Sequence, residues 1–423
     1  MNRLGRVQAW WVLLATMGPL SVVRAQESPP APSLEDLVAR AMSRSPSLQA
    51  LQSRYLAALR AVQPAGALPD PMVEVGYRQE GRPWDPMRPG SMAEVSMTQA
   101  LPFPGKRRAR REEALASARV IEAETRAWQQ RVIARIRATY AHIHALDRER
   151  EVLHAVSGLL DLVGATTTGR HVAGQADQEA LVKVQVERLR LRERETEIEA
   201  AREVLVASLL ALTDDPADVP FGPTTPLPEV SLPEGDLEEA TIASSGLVAV
   251  GRARLQAARR HLEASRMEAR PNFLVGLGAG STLMPEAVLT VRFGVEVPVW
   301  ASQKQVPRIE QALMEMQSAE ADLRQQEATV RSELRAAQAR FRRAEALRTV
   351  YREGIEPEVS LALQAALAAY RAGTGDFSTV IEDFRGLLEA RAALARLEAD
   401  RFEAWAAVQA LVTPIRTLEE VPQ

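Results

Sequence analysis

Glu286-Ala-Val-Leu-Thr-Val-Arg-Phe-Gly-Val-Glu-Val297 decides how this chain is read, because it is followed at once by Pro298 and then by a helical pattern free of Pro and Gly from Arg308 to Arg352. Ala287, Leu289, Val291, Phe293, Val295 and Val297 fall on one face of an extended strand, and Thr290, Arg292, Gly294 and Glu296 on the other. One face suits lipid and the other water. The helical run behind it, Ser302 to Arg371, would as a single helix be roughly 100 Å long, well beyond the diameter of a compact domain.

Working outward, the same two-faced pattern recurs. Val73, Val75 and Tyr77 alternate with Glu74, Gly76 and Arg78, and Ala93, Val95 and Met97 alternate with Glu94, Ser96 and Thr98, which reads as a hairpin with a Pro- and Gly-rich loop over 80–90. A fourth segment, Phe273 to Gly280, alternates larger apolar residues with Gly and precedes the opening stretch. The strands are therefore placed at about 72–79, 91–99, 273–280 and 286–297. Between them lie long amphipathic runs. In one of these Trp128, Val132, Ile136, Tyr140, Ile143 and Leu146 step by three or four and form a packing stripe.

The segments repeat in order. His171-Val-Ala-Gly-Gln-Ala-Asp177 matches Tyr370-Arg-Ala-Gly-Thr-Gly-Asp376, with an offset of 199 residues between Gly174 and Gly373, and Pro102 matches Pro298 at an offset of 196. Two markers far apart keep nearly one register, which predicts a duplicated helix-strand-strand-helix-helix unit. The first repeat spans 34–213 with its helical hairpin turn near 169–176. A Pro-rich connector occupies 214–235, the second repeat 236–411 with its turn near 372–376, and a tail 412–423. One helix is expected from Leu237 to Pro271, and Gly354 with Pro357 marks either a kink or an ordinary packing irregularity.

At the N-terminus, Arg3 and Arg6 precede the apolar Ala9 to Met17 and the small residues ending at Ala25, which reads as a signal peptide over 1–25 and a linker over 26–33. Cys is absent, which excludes disulfides, thiolate chemistry and a lipid-anchored N-terminal Cys. Aromatics are only 4% of 423 residues, so the helices must close-pack on small side chains; a net charge of −3 gives no ground for a nucleic-acid partner. Neither a Gly-x-x-x-x-Gly-Lys-Ser/Thr loop nor a Gly-x-Ser-x-Gly elbow occurs, so no cofactor and no enzymatic site is expected.

If the strands span a membrane, closure decides the assembly. Four strands cannot close, since membrane barrels begin at about eight. Two chains would give eight strands and a bore filled by side chains, while three would give twelve and a lumen. The predicted fold is thus mostly α within an α+β class, with long helical hairpins and four strands per chain contributing to a 12-stranded trimeric barrel. A soluble sheet with one wet face satisfies the same alternation.

The duplicated order, the Gln99-Ala-Leu-Pro-Phe-Pro-Gly-Lys106 turn, its counterpart Glu296-Val-Pro-Val-Trp300, and the Ala-Gly pairs at 173–174 and 372–373 resemble the TolC-type outer-membrane efflux proteins. The Pro-Phe-Pro-Gly-Lys form is similar to their heavy-metal, CzcC- and CusC-like branch. The resemblance implies a homotrimer in outer-membrane lipid with a long periplasmic extension, working as a passive duct with an inner-membrane pump and a periplasmic adaptor, heavy-metal cations being one class of cargo. The competing assignment is a periplasmic coiled-coil adaptor that does not cross the membrane.

It further implies a lumen lined by Glu74, Arg78, Glu94, Thr290, Arg292 and Glu296, and a periplasmic aperture at the hairpin tips with Gly174, Asp177, Tyr370, Gly373 and Asp376. Tyr370 matches the tyrosine with which family members close the tip, whereas the family's arginine just after the glycine is absent, position 375 being Gly. Asp177 and Asp376 either form a carboxylate ring that selects cations or cap their helices. Lys106 to Arg111 reads as the inner rim of the barrel or a solvated first turn. His142 and His144, about 200° apart on a helix, cannot share a metal ion. Met87, Met92 and Met97 read as lipid contacts or packing in preference to soft metal ligands.

Overall fold

The computed structural model of the chain describes residues 31–79, 91–173, 178–282 and 287–413. The expected signal peptide, the first part of the linker, the loop over 80–90, most of the C-terminal tail, and Met87, Gly174 and Asp177 lie outside the described residues.

The first described element is α1 (Leu34–Arg44), capped by Ser33, whose Oγ accepts the Asp36 N–H at 3.1 Å. Pro46 then opens α2 (Pro46–Ala65), where its fixed φ suits a first helical turn and its missing N–H costs nothing. Two strands follow, β1 (Met72–Arg78) and β2 (Met92–Leu101), and then the long helix α3 (Lys106–Val172) and its return α4 (Gln178–Thr213). With 67 residues α3 is about 100 Å long. The second half runs α5 (Leu237–Ser244), α6 (Gly246–Glu268), β3 (Asn272–Thr282), β4 (Ala287–Glu296), α7 (Gln305–Val350), a π-helical turn at Tyr351–Ile355, α8 (Glu356–Ala372) and α9 (Phe377–Val412).

Three expectations are corrected. First, the helix expected from Leu237 to Pro271 breaks at Ser245, which adopts an extended ψ of 124°. Gly246 packs directly on α3: a Cβ there would sit 2.7 Å from the Ala127 Cα, and its N–H donates to Gln130 Oε1 at 2.8 Å. Second, the turn expected from Gly169 starts later, because Gly169 remains helical and α3 runs to Val172; a single Gly costs a helix interior about 1 kcal/mol, too little to end it. Third, the strands shift by one or two residues: β2 extends to Leu101 and β3 to Thr282, while β4 stops at Glu296, before Val297.

Pro357 explains the π turn. Lacking an N–H, it cannot bond the carbonyl one turn back, and the helix widens so that the Glu356 N–H reaches the Tyr351 carbonyl five residues behind.

The sheet order is β1-β2-β3-β4, antiparallel throughout, although β2 and β3 are separated by the whole of α3 to α6. The helices that adjoin the strands follow the same order: α2 packs on α3, α3 on α6, and α6 on α7. Further along, α3 with α4 and α8 with α9 form two helical hairpins that share a core of Leu153, Leu160, Ile198, Leu363, Phe377 and Phe384. Val132, Ile136, Tyr140 and Ile143 of the expected stripe are buried in a second core against α1 and α4. The connector does not dangle. Thr224 donates its backbone N–H to Asp147 at 2.9 Å, and Val230 is buried against Phe341 and Phe402.

Candidate functional site

The sheet is inverted relative to a soluble one. Pairing places Val75, Val95, Ala279 and Leu289 in one row and Val73, Met97, Leu277 and Val291 in the next, all on one face. That face is open: Val75 is 82% and Phe293 81% exposed. The opposite face carries Glu74, Arg78, Glu94, Thr290, Arg292 and Glu296, all six residues expected to share it. It is sheltered at its centre, where Ser96 is buried and the Glu94 side chain only 15% exposed, while Glu74, Arg78, Arg292 and Glu296 toward the outer strands are exposed. A continuous apolar face left to solvent marks a surface built for an apolar partner or a membrane.

On the polar face β3 contributes Gly276, Gly278 and Gly280, a lane without side chains. Arg292 of β4 reaches across it and donates to Glu94 Oε1 of β2 at 2.6 Å. The lane is needed for that bridge, because a Cβ at Gly278 would lie 2.7 Å from Glu94 Oε1. Lower on the same face Glu296 accepts from Asn272 Nδ2 at 2.9 Å. Met92 belongs to this face and Met97 to the apolar one, so the two cannot converge on an ion.

Where strands become helices, the basic run from Lys106 is tied down. Lys106 is fully buried, not solvated: its ammonium donates to Asn272 Oδ1 at 2.7 Å and lies 3.7 Å from Glu268. Arg107 donates to the Gly66 carbonyl at 2.8 Å and Arg110 to Glu268 at 2.7 Å. Lys106, Arg107 and Arg110 therefore clamp α3 to α2, α6 and β3, while Arg108, paired with Glu112 of its own helix, stays solvated as expected. The preceding Gly105 has φ 97°, a left-handed turn that favours Gly.

At the far end the hairpin tips are latched to each other. Tyr370 is buried, and its hydroxyl lies 2.9 Å from Thr167 Oγ1 of α3. Thr167 already donates its proton to the Val163 carbonyl at 2.8 Å, so Tyr370 is the donor. Arg170 donates to the Tyr370 carbonyl at 2.7 Å with its guanidinium 4.7 Å from the ring centre, and Phe377 meets the ring edge-on. Gly373 ends α8 at φ 82°, and Asp376 caps α9 by accepting the Ser378 N–H at 3.1 Å. Thr167 and Arg170 were not singled out from sequence. The signal was their place in the last turns before the Ala-Gly pair.

Midway along the helices, His142 and His144 part company as their spacing requires. His144 Nδ1 pairs with Thr224 Oγ1 of the connector at 3.0 Å, and burial pushes its pKa down. His142 Nε2 lies 2.7 Å from Glu403 of α9, a hydrogen bond that raises the His142 pKa against the effect of burial. Glu229 holds the connector between Arg401 at 2.9 Å and Arg348 at 3.0 Å. The hydrogen bond from Arg401, then the charges of Arg401 and Arg348, keep its carboxyl below the usual range.

No protein-family model matches the chain, and no curated protein matches it. Solved structures do. The outer-membrane channel OprN superposes with a TM-score of 0.79 at 16% identity, over 90% of this chain and 89% of that one. The outer membrane protein VceC of Vibrio cholerae gives 0.77 at 17% identity over 90% and 96%, and CusC, described as forming a transmembrane channel, 0.76 at 15% over 90% and 92%. The chain has the fold of these outer-membrane channels over nine-tenths of its length.

Proposed function

We propose that this chain is the outer-membrane duct of a tripartite efflux system: three copies form a 12-stranded barrel, and their helices extend the bore into the periplasm. Substrates, heavy-metal cations among them, enter from an inner-membrane pump through a periplasmic adaptor and leave without further chemistry. The carrying observation is the inverted sheet with two open edges. Among the described residues β1 and β4 each lack a partner on one side, and α2 and α7 adjoin those same strands in the chain. In hydrocarbon an unpaired edge loses several hydrogen bonds, so β4 of one copy must meet β1 of the next, and a heterologous contact of this kind closes as a ring. The apolar rows then face lipid, and Glu74, Glu94, Arg292 and Glu296 face water.

The fold likeness to OprN, VceC and CusC supports this reading. So does the latched tip, a natural place for a periplasmic aperture with Tyr370, Gly373 and Asp376 beside it. Fractionation of cells expressing the full chain tests it: the protein should pellet with outer membranes, resist release by salt, and run as a trimer in mild detergent. A monomer that stays in the periplasmic fraction without detergent overturns the duct and favours an adaptor.

A further inference from the structure

Sequence spacing excludes a shared ion between His142 and His144, but it is silent about the facing helix. There α9 presents Asp400 and Glu403 one turn apart, and together with a ring nitrogen of His142 of α3 their ligand atoms all lie within 4.8 Å of one another. Two facing helices supplying an imidazole and a pair of carboxylates spaced i, i+3 is a geometry with which bundles hold metal ions. Asp400 makes no hydrogen bond or ion pair among the described residues, so one ligand is uncommitted.

The trio lies on the side of the helical layer that the connector leaves open. His144 touches the connector, and His142 points about 200° away from it. On α9 the connector is held by Arg401 and Phe402, whereas Asp400 and Glu403 lie on the other flank.

We propose that His142, Asp400 and Glu403 form a binding site for a borderline divalent cation of the Zn2+ class on this open face. An imidazole with two carboxylates suits such an ion better than Mg2+, which prefers oxygen alone, or monovalent copper, which prefers sulfur. With metal–ligand distances of about 2.0–2.2 Å, tetrahedral ligand atoms stand roughly 3.3 Å apart, so His142 and Glu403 need separate by only about 0.6 Å from their present contact. The fourth position stays open to water. Arg135 and Arg340 act on Glu403 from nearby and oppose a second positive charge, which makes the site weak and exchangeable, unlike a structural one. The other converging histidine is different in kind. His261 meets Glu113 through Nδ1 at 2.6 Å and Glu315 through Nε2 at 3.7 Å, on opposite sides of the ring, where no single ion reaches both.

That such an ion is cargo in transit rests on the duct reading; the ligand set does not. The untagged full chain, purified in detergent and stripped with chelator, should bind one ZnCl2-derived ion per chain by equilibrium dialysis. A tenfold excess of MgCl2 should not displace it. H142Q, D400N and E403Q should each weaken binding at least tenfold, and H261A should leave it unchanged. Equal binding by the three variants and the parent, displacement by Mg2+, or no binding up to millimolar Zn2+ overturns the site. A trimer without variant-sensitive binding removes the site and keeps the duct, while a water-soluble monomer that binds through these residues does the reverse.

Discussion

The Tyr370 hydroxyl donates to Thr167 Oγ1 across 2.9 Å, joining the last turn of α8 to α3 at the end of the molecule farthest from the sheet. Both side chains are buried, so the bond has no water to compete with it. A net hydrogen bond of this kind contributes about 1 kcal/mol. Tyr370→Phe removes it while keeping the ring against Phe377 and Arg170. The expected result is a lower melting temperature of the detergent-purified protein and, in planar bilayers, a higher open probability. Thr167→Val should act in the same sense, and the double variant should be no worse than the worse single one, which is the signature of one shared contact. Additive losses would show that each residue works through other partners.

In the proposed duct, the Glu94–Arg292 bridge over the glycine lane would set the charge along the bore. Removing Arg292 leaves Glu94 unpaired at a sheltered position, and removing Glu94 frees a half-exposed Arg292. Glu94→Gln should move the reversal potential of reconstituted channels in a salt gradient toward anions, and Arg292→Gln toward cations. Gly278→Val, which pushes a side chain into the space of Glu94 Oε1, should perturb selectivity without altering charge. Identical reversal potentials for all three would mean that this face does not line the path.

The strands and their faces were legible because Val, Phe and Leu alternate with Glu, Arg and Gly at a strict period of two, a contrast that only one register preserves. The break at Ser245 was not. Its counterpart at Ser45 is marked by Pro46, but here the marker is Gly246, whose reason lies at Ala127 in another helix. Lys106 looked like part of a solvated basic run, since Asn272 and Glu268, which bury it, are more than 160 residues away in sequence. His142 failed to suggest a partner for the same reason, Glu403 being 261 residues distant. Local pattern reports the period and faces of an element. Which polar atoms meet across helices depends on tertiary register that the pattern does not carry.

Acid should loosen the connector. Because the folded-state pKa of Glu229 is depressed by Arg401 and Arg348, its contribution is present above the ordinary carboxylate pKa and is lost as pH falls through and below that value. Melting temperature measured between pH 7 and pH 3 should therefore fall less steeply for Glu229→Gln than for the parent. Because Glu229 is largely exposed, the difference should shrink in high salt. Parallel curves would remove Glu229 as an anchor of the connector.

Asp376 invites two roles that substitution can separate. As N-cap of α9 it satisfies the Ser378 N–H, and in the proposed trimer a carboxylate repeated in each copy at the tip would draw cations to the aperture. Asn caps a helix about as well as Asp but carries no charge, so Asp376→Asn tests the charge alone. It should leave the melting temperature nearly unchanged and lower the cation preference of the conductance. Asp376→Ala should lose the cap as well, at a cost of about 1 kcal/mol, visible as a drop in melting temperature on top of the same change in selectivity. If Asn preserves both stability and selectivity while Ala lowers stability only, the carboxylate is a cap and the ring has no part in conduction.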